Sequence, residues 1–244
     1  MAPSYSGVWN ISTQYQYVSV WPVDVNLLSI GLFAGGYSQT AGGATNSIDK
    51  IIIETTANST DFGDLTAAIQ DGAGVGSSTR AVFAGGYTYG TDPVNVIEYV
   101  TFASAGNSTD FGDRTVSYIS STGLSNSTRG LFAGGHVGNT LYNVIEYITI
   151  ASVGDATDFG DLTVARFNIG GAGSTTRGIF YGGGITDAST SGNIIDYVTI
   201  ASTGNATDFG DTTIVRRAGG AVSSATRCCK LGGFDGSGYT NVIE

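Results

Sequence analysis

Thr128-Arg-Gly-Leu-Phe-Ala-Gly-Gly135, then Asn143-Val-Ile-Glu-Tyr-Ile-Thr-Ile-Ala-Ser152, then Asp158-Phe-Gly-Asp-Leu-Thr163 is the stretch that decides the fold, because each piece recurs along the chain. The glycine pair returns at Gly35-Gly36, Gly85-Gly86, Gly134-Gly135, Gly182-Gly183 and Gly232-Gly233, at intervals of 50, 49, 48 and 50 residues. Asp-Phe-Gly-Asp begins at Asp61, Asp110, Asp158 and Asp208, and the Asn-x-Ile-acid marker ends at Asp49, Glu98, Glu146, Asp196 and Glu244. Three markers on one period define an internal repeat of about 49 residues.

Each repeat reads as four strands. The apolar run before the glycine pair is a buried strand, and the glycines permit a turn or close backbone approach. Asn143–Ser152 is a long β-branched and aromatic strand. Gly154–Thr157 supply turn chemistry before an outer strand opened by Asp158. Asn168–Ser174, rich in Gly, Ala and Ser, suits an inner strand crowded against a central axis. Leu131 and Phe132 point oppositely yet are both apolar, as expected where both faces of a sheet are covered. The expected fold is all-β: a closed propeller of about five four-stranded blades. Residues 29–244 carry the repeats, and residues 1–28 are expected to supply a closing strand (Gly7–Ile11) and a connector within the same domain.

Composition narrows the partners. Of 244 residues, 38 are Gly, 12% are charged and 41% hydrophobic, which suits a large packed core without a solvating tail. A net charge of −10 repels phosphate backbones, so nucleic acid is not an expected partner. No apolar run reaches the ~18 residues of a membrane span, and Met1–Asn10 lacks signal-peptide character. Cys228 and Cys229 are adjacent, so on a strand they should project to opposite faces as free thiols; a vicinal disulfide would be strained.

The order Phe132, Gly134-Gly135, Glu146-Tyr147, Phe159, Arg177 resembles kelch repeats over about residues 29–244, with Asp-Phe-Gly-Asp where that family's outer strand usually has Trp. The wording of the repeat, and of Gly7–Tyr15, resembles kelch-like repeats in structural proteins of marine tailed phages. This resemblance implies a non-enzymatic virion component, made in the host cytoplasm and part of a multi-subunit assembly. Such a tail, fibre or surface module would bind other virion proteins or a host-surface glycan or protein. The alternative it leaves open is a cellular kelch-type adaptor binding protein or glycan.

Candidate residues follow from the repeat. Arg80, Arg129, Arg177 and Arg227 recur once per blade, so they are expected to clip blades together through ion pairs with an acid of the Asp64 or Glu98 type. The pairs Asp61 and Asp64, Asp110 and Asp113, Asp158 and Asp161, and Asp208 and Asp211 are read as turn carboxylates bonded to local backbone, with the intervening Phe packed between blades. Their alternative is a Ca²⁺ site, since hard cations favour clustered carboxylates; no other cofactor is expected. His136 is the single histidine, which removes any His-based catalytic or metal cluster. The sequons at Asn10, Asn58, Asn107, Asn126 and Asn205 read as turn residues. Lys230 replaces the Phe of the other blades, implying either a loosened fifth blade or a lysine facing a pocket with an acid. The loops after each glycine pair vary most and carry Tyr37, Tyr87, Tyr89, His136, Tyr142 and Tyr239, the expected partner-binding residues.

Overall fold

A computed structural model describes residues 29–40, 42–88, 93–186 and 191–244. The closing strand expected in residues 1–28 lies outside these residues. What is described is all strand and turn: five antiparallel sheets arranged as the blades of a propeller, and two two-stranded ribbons, Tyr37–Ser38 with Gly43–Ala44 and His136–Val137 with Thr140–Leu141.

Blade 3 shows the pattern: an inner strand Thr122–Ser125, a second Arg129–Ala133, a third Val144–Thr149 and an outer Thr157–Asp161, hydrogen-bonded in that order. Blade 2 (Ala73–Gly76, Arg80–Ala84, Val96–Thr101, Thr109–Asp113) and blade 4 (Gly170–Gly173, Arg177–Tyr181, Ile194–Thr199, Thr207–Asp211) repeat it. In blade 1 the described strands are the second to fourth, Ile30–Ala34, Ser47–Ile52 and Thr60–Asp64; in blade 5 they are the first to third, Gly220–Ser223, Cys228–Phe234 and Tyr239–Ile243.

Small residues let the inner strands meet around the axis. A Cβ on Gly123 would lie 2.5 Å from the Gly74 carbonyl oxygen of the preceding blade. Ser125 Oγ donates to Gly76 O (2.8 Å) and Ser223 Oγ to Gly173 O (2.7 Å), cross-linking neighbouring inner strands. The channel they enclose holds about 440 Å³ and is lined from all five blades, by Leu32, Gly74, Gly123, Gly171 and Ala221 among others. At the entrance to each described inner strand stands a residue with positive φ (Asp71, Ser120, Asn168, Ala218), and the last three donate their N–H along the series, Ser120 to the carbonyl of Asp71, Asn168 to that of Ser120 and Ala218 to that of Asn168.

Asp-Phe-Gly-Asp falls in the outer strand, as expected, and its aspartates are strand residues rather than turn carboxylates. The pairing skips its Phe, so that Glu98 faces Asp110 while Ile97 faces Gly112. This bulge re-aims the ring towards the next blade. Phe62, Phe111 and Phe159 are 3%, 3% and 2% exposed. The strand is then gripped by the loop between the third and outer strands of the following blade. Gly106, Gly154 and Gly204 donate N–H to Phe62, Phe111 and Phe159 carbonyls, each at 2.7 Å. Ser108, Ala156 and Ala206 donate N–H to the last Asp carbonyl, and Asn107, Asp155 and Asn205 Oδ1 accept from that Asp's own N–H. Contact is so close that a Cβ on Gly112 would sit 2.5 Å from Gly154 C. At the blade 4 edge no such loop lies against the outer strand among the described residues, and there Phe209 is 52% exposed and a Cβ on Gly210 would meet nothing within 4 Å.

This difference is measurable. Gly112→Ala and Gly210→Ala share the strain of a φ of 146° or 130°, about 1–3 kcal/mol. Only the first displaces a docked loop, so in urea unfolding it should cost about 2 kcal/mol more. Equal costs would remove close docking as the reason for the glycine.

Candidate functional site

Two classes of loop sit on opposite faces of the disc. The loops gripping the previous blade are used up in architecture. Asn107 and Asn205, two of the sequon residues, accept backbone hydrogen bonds there, and Asn126 caps a turn by accepting from the N–H of Thr128 and Arg129 at 2.9 and 2.8 Å. Asn10 lies outside the described residues.

The other face carries the loops after the glycine pairs together with the links from one blade to the next. These pair with each other, through Gln70 with Tyr87, Ile119 with His136, Phe167 with Gly184 and Arg217 with Phe234. The expected partner residues do not form one patch. Tyr142 is half-buried with its ring 4.9 Å from that of Tyr118, and His136 is half-buried against Phe167 at 5.2 Å with Nδ1 2.8 Å from Gly138 O. Tyr87 is half-buried within the Gln70 and Pro93 bridges. These three tie blade to blade. Tyr37 and Tyr239 stand out, at 56% and 89% exposed. They belong to blades 1 and 5. Tyr89 lies outside the described residues.

The repeated arginines need a correction. Arg80 and Arg129 clip blades as expected, but their acceptors are carbonyls, Ile150 O at 3.0 Å and Ile200 O at 2.8 Å in the next blade, not carboxylates. Their guanidinium groups lie 4.5 and 4.3 Å from the ring centroids of Tyr99 and Tyr147, and Arg177 lies 4.4 Å from Tyr197. A cation over a ring face and a carbonyl needs no counter-ion.

Three acids at the Glu98 position of their blades pair instead with a second set of arginines. Arg114 Nε meets Glu146 Oε2 at 2.8 Å, Arg166 Nη2 meets Asp196 Oδ2 at 2.5 Å, and Arg216 meets Glu244. Each carboxylate is also held by the N–H and hydroxyl of a threonine, Thr115, Thr163 and Thr213 in turn. Arg166 Nη1 reaches Gly182 O and Ile194 O as well, and Arg216 Nη1 reaches Gly232 O and Val242 O. Burial pulls the Arg114 and Arg166 guanidinium groups below their ordinary range, and the partner carboxylates oppose that pull. These arginines escaped the sequence reading because they break the period: Arg114 is four residues after the first Asp of its motif, Arg166 and Arg216 eight after theirs. The recurring Thr after Asp-Phe-Gly-Asp was the available signal.

Lys230 is buried and faces a pocket with an acid. It lines a cavity with Glu244, Tyr181 and Cys228, its Nζ 3.4 Å from Thr212 Oγ1 and 5.3 Å from the Tyr181 ring. Burial first, and Arg216 second, pull it to about 8, with Glu244 opposing. Cys228 and Cys229 are free thiols, and burial pushes Cys228 upward. Among the described residues no three His, Cys, Asp or Glu side chains gather as a metal site, and no helix is long and apolar enough to cross a membrane.

No protein-family model matches this sequence, and no curated protein matches it. The propeller is therefore established by the structure, while the kelch and phage resemblances rest on the wording of the repeat.

Two measurements test these assignments. Arg166→Met strands a buried carboxylate and should cost about 3 kcal/mol or more, against about 1 kcal/mol for Arg129→Ala. The reverse order would return the ion-pair role to Arg129. For Lys230, the folded value lies below the ordinary 10.5, so between about pH 8 and 10.5 the folded state holds fewer protons than the unfolded chain. Stability should rise with pH across that window, and Lys230→Met should flatten the rise and stabilise the protein at pH 7. A pH-independent wild type in that window would contradict the burial of a charged amine.

Proposed function

We propose that this chain is a non-enzymatic binding module, carried as a tail, fibre or other surface component of a tailed-phage virion, and that it holds another virion protein or a host-surface glycan or protein. The observation that carries the binding reading is the division of labour between the two faces. One face is built of near-identical loops consumed in gripping the neighbouring blade. The other bears loops of different length and content, with Tyr37 and Tyr239 projecting into solvent from blades 1 and 5. Tyrosine gives large contact area at low entropic cost, which suits a paratope-like surface. The non-enzymatic reading is supported by where the chemistry-bearing side chains go: Arg114, Arg166 and Arg216 and their acids are spent on blade-to-blade contacts. The phage assignment draws on the repeat wording.

The test is attachment. Tyr37→Ser with Tyr239→Ser should abolish binding of the purified protein to host cells or to its virion partner while leaving the circular dichroism spectrum unchanged. Tyr142→Ser should act differently, lowering stability by about 1–3 kcal/mol through loss of its ring partner Tyr118. Retained attachment in the double variant, with loss on altering the Asn107 and Asn205 loops, would place the interface on the opposite face.

A further inference from the structure

The junction between blades 1 and 2 lacks the arginine that the next three junctions possess. The positions of Arg166 and Arg114 are here Ile69 and Leu65. Glu98 nevertheless keeps its place, 2% exposed, with Thr66 donating from both N–H (2.9 Å) and hydroxyl (2.5 Å) as in the other blades. Where blades 3 and 4 have Ala156 and Ala206, blade 2 has Ser108, whose hydroxyl donates to Glu98. A hydroxyl satisfies a lone pair but leaves the charge unneutralised, and a buried carboxylate without a cation is costly.

A cavity of about 360 Å³ lies against this carboxylate. Gly85 and Val96 line it, and they are the counterparts of Gly182 and Ile194, whose carbonyls accept from Arg166 two junctions on. Gln70 lines it too, and its buried Oε1 has no hydrogen-bond partner. Exposed Asp71 marks where the cavity reaches the surface. Among the described residues no lysine, arginine or histidine lines it, and residues 1–28 contain none of the three. The acceptors that seat a guanidinium elsewhere in this ring are therefore gathered around a space with none. We infer that the blade 1–blade 2 junction is a binding site for a guanidinium group brought from outside the chain, either on a small molecule or on an arginine side chain of a partner.

The experiment is calorimetric titration of the full chain with n-propylguanidine, with n-propylurea as the neutral isostere. Saturable binding of the guanidine, with at least tenfold weaker binding of the urea, is expected. Glu98→Gln should weaken guanidine binding tenfold or more. Ile69→Arg places the side chain of Arg166 and Arg216 at the matching position, so it should abolish binding and raise the melting temperature. A blocked Gly-Arg-Gly peptide separates the sources: binding as tight as that of the free guanidine indicates a partner's arginine, and its exclusion indicates a small molecule. Failure of wild-type protein to bind n-propylguanidine, equal binding of the urea, or binding unchanged in both variants would overturn the site. The wild-type comparison of guanidine with urea decides the matter even where a variant fails to fold.

Discussion

The outer strands of blades 1, 2 and 3 are each held by a loop that belongs to the next blade. Three hydrogen bonds and a bulged phenylalanine make that contact, and both partners must be nearly free of side-chain bulk where backbones meet. A blade is therefore incomplete by itself. Its edge is paired on one side by its own third strand and covered from outside by its neighbour, which also shields an edge that would otherwise template aggregation. The contrast between buried Phe159 and half-exposed Phe209 shows what one such loop contributes.

That constraint explains which parts of the fold were legible in sequence. Gly-Gly, Asn-x-Ile-acid and Asp-Phe-Gly-Asp recur because each is fixed by a backbone approach repeated in every blade, so period alone revealed strand order and blade number. The Gly-, Ala- and Ser-rich stretch was correctly placed at the axis, where Gly123 touches Gly74. Asp-Phe-Gly-Asp was placed in the outer strand with its Phe between blades, but its carboxylates were read as turn groups because its glycine and aspartates carry turn chemistry. The glycine in fact answers to a neighbouring loop some 40 residues on in sequence, the distance from Gly112 to Gly154.

The electrostatics were less legible for a different reason. A guanidinium on a long flexible stem can reach the equivalent carboxylate of a blade from two different backbone positions, as Arg114 does to Glu146 and Arg166 to Asp196, so packing does not hold it to the period. Of the strictly periodic arginines, Arg80, Arg129 and Arg177 hold their guanidinium groups over a tyrosine ring, where geometry is set by the strand. Periodicity thus marked rigid stacking and concealed the ion pairs, and with them the junction where the arginine is missing. On the loop face the aromatic residue type was legible, but which rings turn inward was not: Tyr142 is drawn down by Tyr118, another residue of the variable links.

The central claim is that loops of one blade lock the outer strand of the one before. Amide hydrogen exchange at the last aspartate of each outer strand tests it most directly. The N–H groups of Asp64, Asp113 and Asp161 donate to Asn107, Asp155 and Asn205, whereas Asp211 has no such loop against it among the described residues. Slow exchange at the first three with fast exchange at Asp211 is the predicted result. Uniform exchange across all four would contradict the account.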